Sequence, residues 1–416
     1  MYILIDCDNF FVSCERAFQP HLQNRAVVVL SNNDGCVVAR SNEAKKLGIA
    51  MGSPYFKIAE DLRAQGGLAL SSNYELYADM SQRVMNLIKE RFPNLEIYSI
   101  DEAFAEVKET NNLVEEALSL RNTILQQTGI SVSIGIAPSK TLCKIAGERA
   151  KPLTRDKVCY FHDAEATAKI LSEVEVGDVW GIGRNLKPRL NFLGIFTAQD
   201  LVRAPAGLIR RHFGINLEKT VMELQGISCL AHEHNGEQQS LMCSRSFEHE
   251  VQTFEELRRI LGEFTDSACQ RLRRQGGEAG GIIVYLSTNR FSKSEEFYQN
   301  TSFIGLNRAS ALTSKFLKAM EQGLREIYRE GKHYKRAGIT LTEIRKRGAG
   351  QRNLFETEAD ENREQKLLQA VDDLNEKLGA KTIRFGSLSQ EIKHFIRREH
   401  RSQSYTTSWQ ELLKVH

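Results

Sequence analysis

The stretch LEIYSIDEAFAEV, residues Leu95–Val107, places two adjacent acids inside a largely apolar run. We interpret this stretch as a pair of short strands. Burying a carboxylate costs free energy unless it is paired with a cation or bound to a metal. Asp101 and Glu102 are therefore predicted to have a partner elsewhere in the chain.

A second acidic pair follows the apolar N-terminal strand, where Asp6 and Asp8 flank Cys7. Side chains at i and i+2 of a strand project to the same face. Four acids at the ends of two strands suit two Mg²⁺ ions, which prefer oxygen ligands and keep phosphates and waters in their shell. The backbone carbonyl of Cys7 is a further candidate ligand. Helix-capping or turn acids are the alternative, since spacing alone does not make the two strands neighbours.

The bulk composition is that of a globular chain of two to four domains, with 416 residues, 41% hydrophobic and 26% charged. No apolar run approaches the roughly 20 residues of a membrane helix, and the N-terminus lacks the basic start of a signal peptide. Eight cysteines without a C-x-x-C pair indicate free thiols in a reducing compartment, which predicts a cytoplasmic location. The net charge is only +3, but residues 241–350 hold 19 Lys and Arg against 13 Asp and Glu.

The order of strand-like and helix-like segments predicts an α+β multidomain fold. Strands and helices alternate to about residue 161, and helices with glycine turns follow over 166–231. A second α/β domain is predicted over 241–345, after a polar linker at 232–240. Beyond it lie a polar stretch and a helix at Gln365–Leu378.

Several long strings carry a resemblance to a known family. The strings are IDCDNFFVSCE from Ile5, SSNYELYADMS from Ser71, YSIDEAF from Tyr98, GDVWGIGR from Gly177 and YTTSWQELLKV from Tyr405. The chain resembles the Y-family translesion DNA polymerases, in their UmuC branch. This resemblance implies a right-hand fold with a palm at 1–20 and 73–165, fingers at 21–72, a helix-hairpin-helix thumb at 166–231, a little finger at 241–345 and a C-terminal tail at 346–416.

The resemblance also implies a reaction and its catalytic acids. The function expected is error-prone, template-directed DNA synthesis past lesions in the SOS response. Asp6, Asp101 and Glu102 are then the metal-binding carboxylates, with Asp8 in second rank. A primer 3′-hydroxyl attacks the α-phosphate of a dNTP, and positioning and charge neutralisation provide most of the rate enhancement.

The resemblance places a nucleotide pocket beside these acids. Phe11 falls at the position of the aromatic residue that packs under the sugar and excludes a ribose 2′-hydroxyl, whereas the Phe10 ring is expected in the core with its backbone N–H near the triphosphate. Asn42 and Lys45 occupy positions that hold phosphates in many members, where Tyr and Arg are common, and Lys151 matches a late palm lysine. A core aromatic at Phe11 and solvated helix ends at the lysines are the alternatives. The short fingers segment implies a small lid, hence low fidelity.

Candidate DNA contacts lie in the two later domains. Gly181 and Gly183 form the predicted hairpin, where backbone N–H groups approach phosphates without a side chain in the way. An ordinary tight turn is the alternative. The predicted phosphate contacts of the little finger are Arg245, Arg271, Arg273, Arg274, Lys335 and Arg336.

The C-terminal region carries the predicted partner sites. Gln351, Leu354 and Phe355 in QRNLF resemble the short peptide that binds a sliding clamp. By resemblance, the tail beyond it engages a UmuD′ dimer and the RecA filament. Two other functions stay open: a DinB-type polymerase that acts without UmuD′, and a catalytically inactive protein that binds DNA and the clamp.

Overall fold

A computed structural model describes residues 1–153, 156–230, 238–292, 296–347, 358–379, 382–386, 388 and 398–413. The chain divides into two units: Met1–Asn235 with Arg398–His416, and Gly236–Arg397. Both units combine helices with sheets, so the α+β multidomain prediction is confirmed. No helix in the described ranges is long and apolar enough to cross a membrane. All eight cysteines are free, and four of them are buried.

The first unit holds two sheets and a run of short helices. Its strands are β1 (Tyr2–Cys7), β2 (Val27–Leu30), β3 (Val37–Arg40), β4 (Leu68–Ser71), β5 (Leu95–Ile97), β6 (Glu102–Glu106), β7 (Val132–Ala137) and β8 (Val158–Tyr160). Its helices are α1 (Phe10–Phe18), α2 (Asn42–Lys46), α3 (Tyr55–Ala64), α4 (Tyr74–Arg91), α5 (Leu113–Thr128), α6 (Lys140–Ala150), α7 (Ala164–Glu173), α8 (Leu186–Phe192), α9 (Ala198–Arg203), α10 (Ala206–Phe213) and α11 (Ile215–Leu224).

The larger sheet of this unit has the order β5-β6-β1-β7-β8 and lies between two helical layers. Side chains of β1 alternate between the two faces, as the period of a strand requires. Ile3 and Ile5 join the core formed with α1, α4 and α5, whereas Leu4 joins the core formed with α6. β6 and β7 flank β1 in antiparallel register. The two acid-bearing strands are therefore direct neighbours.

Helix α6 lies unusually close to the sheet because β7 carries a glycine at the contact. A Cβ atom built on Gly135 would stand 2.3 Å from the carbonyl oxygen of Cys143 and 2.4 Å from the nitrogen of Gly147. Any side chain at Gly135 would push the helix outward. This close approach sets the position of the lysines that α6 presents at the sheet edge.

The smaller sheet has the order β3-β2-β4 and is covered by α2 and α3. Val28, Leu30 and Leu62 are buried in its core. Helices α7 to α11 follow the larger sheet, and the described residues from 164 to 224 contain no strand, as the sequence predicts.

The second unit is an open antiparallel sheet with two long helices on one face. Its elements are β9 (Ser240–Val251), α12 (Phe254–Arg274), β10 (Gly277–Thr288), β11 (Gln299–Ser310), α13 (Thr313–Ile327), β12 (Tyr334–Thr342), β13 (Arg345–Lys346) and α14 (Glu358–Leu378). The sheet order is β11-β10-β12-β9, with β13 pairing with β10. Leu257 of α12, Val284 of β10 and Phe316 of α13 are buried in the core between helices and sheet.

The C-terminal region differs most from its prediction. Helix α14 begins at Glu358 rather than Gln365 and belongs to the second unit. Residues 398–413 instead belong to the first unit. The segment that the sequence predicts as one tail is thus divided between the two units. The four-domain boundaries themselves stay a prediction.

Candidate active site

The acids meet at one edge of the larger sheet. Asp6 of β1 stands opposite Glu102, the first residue of β6. Asp101 lies in the turn before β6, where the backbone N–H of Cys7 donates to its carbonyl oxygen at 2.9 Å and the Ser99 hydroxyl donates to its carboxylate at 2.6 Å. All three carboxylates line one pocket. The sequence places the acids at the end of a strand, but in the structure they occupy the β5–β6 turn and the start of β6.

Lysine side chains neutralise two of the three carboxylates. Lys151 Nζ lies 3.0 Å from Asp6 Oδ2 and 2.6 Å from Glu148 Oε1. Lys144 Nζ donates to both oxygens of Glu102 at 2.6 and 2.7 Å. Sequence reasoning identified Lys151 but missed Lys144. Lys144 could have been found from its helical spacing with Lys140 and Lys151, which lie along and just after α6. The same spacing also fits a solvated helix face.

The protonation of Asp6 reflects this crowded, buried setting. Burial raises the pKa of Asp6 from 3.8 to about 7; Lys151 opposes the rise and Glu102 adds to it. Burial alone would lower the pKa of Lys151, but Asp6 and Glu148 raise it above its ordinary value. The pKa of Asp6 stays raised even though Lys151 lies beside it, so Lys151 does not fully compensate the buried negative charge. A bound cation would supply the missing positive charge.

The donor set fits a hard divalent cation. Asp6, Asp101 and Glu102 offer carboxylate oxygens, which Mg²⁺ prefers. Burial, reinforced by Asp6, raises the pKa of the Cys7 thiol well above its ordinary value. Cys7 therefore stays a neutral thiol, and only its backbone oxygen suits a metal. In the described residues, no three His, Cys, Asp or Glu side chains stand close enough to bind a metal together. In this structure Lys151 and Lys144 pair with the carboxylates of Asp6 and Glu102.

Asp8 faces away from this pocket. Its carboxylate accepts hydrogen bonds from Ser131 Oγ at 2.8 Å and from Ser133 Oγ at 2.7 Å, and Lys157 Nζ lies 2.6 Å from it. The expectation that Asp6 and Asp8 share a face is therefore wrong. The reason is that β1 ends at Cys7, so the strand period no longer applies at residue 8.

Two phenylalanines at the start of α1 have different surroundings. Phe10 is 3% exposed and belongs to the core. Phe11 is half-buried and lines the same pocket as the acids. Its ring stacks on Tyr77 with centroids 4.4 Å apart and planes 13° from parallel, and it meets Tyr74 edge-on at 5.9 Å. Both tyrosines belong to the first turn of α4.

The segment that contains β3 and α2 contributes basic groups to the pocket. Lys45 of α2 lines it, and burial, with Lys151 and Arg40 nearby, lowers the pKa of Lys45. Arg40, which sequence reasoning missed, also lines it; one guanidinium nitrogen donates to the carbonyl of Ile49, and its buried Nε has no hydrogen-bond partner among the described residues. Asn42 does not line the pocket, and its side-chain oxygen accepts from Asn9 at 3.1 Å.

The predicted hairpin glycines precede α8. Gly181 has φ +90°, a conformation that favours glycine. No atom lies within 4 Å of a Cβ built on Gly183, so this backbone faces open space. The Gly183 carbonyl accepts the backbone N–H groups of Leu186 and Lys187 at 3.0 and 3.1 Å, which starts the helix.

One of the predicted DNA-contacting residues of the second unit is a structural residue. The Arg273 guanidinium forms two hydrogen bonds with Asp372 of α14, at 2.7 and 2.9 Å, and also donates to Thr313 Oγ1 at 2.9 Å and the Ala311 carbonyl at 3.2 Å. Because its donors are engaged in these bonds, we predict a structural role for Arg273 rather than a contact with DNA. Its neighbours Arg271 and Arg274 are exposed.

The remaining predicted DNA contacts of this unit are partly engaged. Arg336 is exposed, its guanidinium 5.7 Å from the ring centre of Tyr285. Lys335 donates to the Glu248 carbonyl at 2.8 Å, and Arg245 donates to the Ser244 carbonyl at 2.8 Å.

The predicted clamp-binding residues lie outside the described residues; they are Gln351, Leu354 and Phe355.

This architecture defines the class of protein. A chimera of the Y-family DNA polymerases Dbh and Dpo4 aligns with a TM-score of 0.68 at 22% identity, over 83% of this chain and 99% of the other. DinB from Sulfolobus solfataricus aligns with a TM-score of 0.54 at 22% identity, over 82% and 98%. The fold is that of the Y-family DNA polymerases.

The sequence defines the family within that class: the chain belongs to the impB/mucB/samB family. Residues 5–148 match the family model, 238–354 match its C-terminal domain, and 365–415 match a domain of unknown function. Protein UmuC of Salmonella typhimurium is 40% identical over the full length of both chains. Protein MucB of Escherichia coli is 35% identical over 99% of both, and DNA polymerase IV of Dehalococcoides mccartyi is 32% identical over 67% of this chain and 72% of its own.

Proposed function

We propose that this chain is a template-directed, error-prone DNA polymerase of the UmuC type that copies damaged DNA in the SOS response. The observation that carries the proposal is the single pocket that contains Asp6, Asp101, Glu102, Phe11 and Lys151. Acids for a metal, an aromatic floor and a mobile cation are the parts that transfer of a nucleotide requires. The family and fold shared with the relatives support the same function.

The acids have the first role in the proposed reaction. Two Mg²⁺ ions would be held by Asp6, Asp101, Glu102 and the Cys7 carbonyl. When bound, they would activate an attacking hydroxyl and stabilise a leaving pyrophosphate. The primer 3′-oxygen forms a bond to the α-phosphorus of the dNTP, the bond to pyrophosphate breaks, and the hydroxyl proton is released. The two backbone elements that meet at Asp6 and Glu102 are strands, so the carboxylates are held on a rigid base.

The nucleotide side of the pocket has the second role. Lys45, Lys151 and Arg40 line the pocket and provide positive charge for the triphosphate. Lys151, which now pairs with Asp6 and Glu148, would turn toward a phosphate when the metals bind Asp6. Phe11 forms the floor under the sugar, and its bulk excludes a 2′-hydroxyl. Asn42 acts indirectly, through Asn9 at the start of α1.

DNA and partner proteins complete the proposal. Primer-template DNA lies along the backbone at Gly181 and Gly183 and against Arg245, Arg271, Arg274, Lys335 and Arg336 of the little finger. The QRNLF segment binds the sliding clamp, and a UmuD′ dimer and the RecA filament activate the enzyme through the C-terminal region. The narrow β3-β2-β4 sheet and its two short helices make a small lid, which tests base-pair shape weakly.

Primer extension across an abasic site tests this function. The full chain is assayed with Mg²⁺, with and without UmuD′ and RecA. We expect insertion that depends on the template and rises sharply when both partners are present. Full activity without partners would instead indicate a DinB-type enzyme. Binding to DNA and to the clamp with no extension under any condition would indicate a non-catalytic accessory protein.

A further inference from the structure

The C-terminal segment, residues 398–405, is built into the first unit against β4, α1 and the start of α4. Arg401 forms a parallel bridge with Ser71, the last residue of β4. The Ser71 N–H donates to the His400 carbonyl at 3.0 Å, and the His400 N–H donates to Ser71 Oγ at 3.0 Å. The segment thus continues the edge of the smaller sheet and then runs to the start of α4.

The first link between this segment and the pocket runs through Asn73. Asn73 is fully buried, and its side-chain oxygen caps α4 by accepting from the Leu76 N–H at 3.4 Å. Its side-chain nitrogen donates to the C-terminal segment, at 2.9 Å to Ser402 Oγ, 3.3 Å to the Ser402 carbonyl and 3.1 Å to the Gln403 carbonyl. The orientation of the residue that begins α4 therefore depends on the segment.

The second link runs through a buried carboxylate on α1. Ser402 Oγ donates to Glu15 at 3.0 Å, and the Tyr77 hydroxyl donates to the same oxygen at 2.7 Å. Glu15 and Tyr77 are both fully buried. Burial raises the pKa of Glu15, and the hydrogen bonds from Tyr77 and Ser402 oppose the rise. Removing one donor would leave this buried acid less well satisfied, which favours a rearrangement of Glu15 and of the residues bonded to it.

The third link is an aromatic stack at the other end of α1. The ring of Tyr405 lies on that of Phe18, with centroids 5.0 Å apart and planes 8° from parallel. Tyr405 is 8% exposed and belongs to the core that α1 and α4 share. The segment therefore contacts both helices. The residues that it contacts, Glu15, Phe18 and Asn73, have no role in the proposed reaction.

Both helices determine the placement of Phe11. Phe11 belongs to α1, and the rings that hold its face and edge, Tyr77 and Tyr74, belong to α4. A small shift of α4 relative to α1 would change the tilt of the Phe11 ring in the pocket. Such a shift would change how well Phe11 discriminates between ribose and deoxyribose, although every group that touches the substrate is still present.

We propose that residues 398–405 are a positioning element for the nucleotide pocket, and that Ser402, through Glu15, Asn73 and Tyr77, sets the sugar selectivity exerted by Phe11. This inference rests on the proposed polymerase function. It assigns the C-terminal segment a role inside the catalytic unit, in addition to any partner binding by the rest of the C-terminal region.

The test compares two full-length variants. Ser402→Ala removes the hydroxyl that joins Asn73 to Glu15, and the matched control Thr407→Ala removes an exposed hydroxyl just beyond the segment. Two quantities are measured for each: the efficiency of ribonucleotide relative to deoxyribonucleotide insertion, and amide hydrogen exchange over residues 10–18 and 74–81.

We expect Ser402→Ala to raise the ratio of ribonucleotide to deoxyribonucleotide insertion about threefold to tenfold. The variant loses one hydrogen bond to the Glu15 carboxylate, which acts on the Phe11 ring only through Tyr77. Exchange at the first turn of α4 should accelerate, and Thr407→Ala should match wild type in both. If wild type and Ser402→Ala insert nucleotides with the same ratio, the positioning inference is wrong and the polymerase function stands. If wild type extends no primer even with Mg²⁺, UmuD′ and RecA present, the polymerase function is wrong, and unchanged exchange in Ser402→Ala then refutes the positioning of α1 and α4 separately.

Discussion

Replacing Asp6 with asparagine should stabilise the metal-free protein while abolishing its catalysis. Burial raises the pKa of Asp6 from 3.8 to about 7. Between these values the folded chain holds a proton that the unfolded chain has released, so the free energy of unfolding falls as pH rises through this window. Each pKa unit corresponds to 1.36 kcal/mol, so the raised pKa of Asp6 destabilises the folded chain by at most about 4 kcal/mol above pH 7 and by about 2 kcal/mol at pH 5, where Asp6 is protonated in the folded chain only.

Asp6→Asn removes this cost because an amide carries no charge at any of these pH values. We expect the variant to exceed wild type in free energy of unfolding by about 2–4 kcal/mol at pH 8 and by about 1 kcal/mol at pH 5. Lys151 keeps Glu148 as a partner at 2.6 Å in the variant. Added Mg²⁺ should narrow the difference in free energy of unfolding between the two proteins, since it binds and stabilises the folded wild type.

Urea unfolding in EDTA, followed by tryptophan fluorescence, measures this difference. Both tryptophans of the chain, Trp180 and Trp409, lie in the first unit, so the signal reports the unit that contains Asp6. Asp8→Asn is the matched control. It should destabilise the protein, because Asp8 is satisfied by two serine hydroxyls and Lys157. Equal stabilities of wild type and Asp6→Asn at both pH values would refute the reasoning about buried charge.

Two further predictions concern single side chains. Phe11→Ala should raise ribonucleotide insertion relative to deoxyribonucleotide insertion by about 10- to 200-fold, as expected when a pocket loses a steric contact; Val12→Ala, in the core beneath the same helix, should cost stability only, and an unchanged Phe11→Ala ratio would remove Phe11 from the gate. Arg273→Ala should lower the free energy of unfolding of the second unit by about 1–3 kcal/mol, since it breaks a half-buried pair with Asp372. The affinity of Arg273→Ala for DNA and the salt dependence of that affinity should stay at wild-type values. Arg271→Ala should instead reduce the slope of log affinity against log salt concentration by about one. A reduced slope in Arg273→Ala with an unchanged slope in Arg271→Ala would show that Arg273 contacts DNA.

The sequence predicts the elements of the first unit well where a strong local pattern exists. Helix α6 has the bounds of the segment KTLCKIAGERA, and α4 differs by one residue at each end from the predicted Asn73–Phe92. The pairing of β1 with β6 could not be predicted from local patterns, because strand adjacency depends on contacts about 100 residues apart. Family resemblance supplied that link, and the register of Asp6 with Glu102 then shows why these two acids meet.

The errors have physical causes that local sequence patterns do not reveal. Asp8 turns away because β1 ends one residue earlier than a regular alternation would require. Arg273, in the last turn of α12, has the spacing of a solvated basic residue, and only the return of α14 shows that Asp372 faces it. Apart from the stack of Tyr405 on Phe18, the contacts of residues 398–405 rest on serine, asparagine and backbone groups, which leave no hydrophobic period in the sequence.

The central claim is that Asp101 and its neighbouring acids support template-directed nucleotide transfer. The most direct measurement is single-nucleotide insertion by wild type and Asp101→Ala, with each of the four template bases and in the presence of Mg²⁺, UmuD′ and RecA. We predict that wild type inserts mainly the complementary nucleotide and that Asp101→Ala, still folded and still bound to DNA, inserts none. Equal insertion by the two proteins would contradict the assignment of the site.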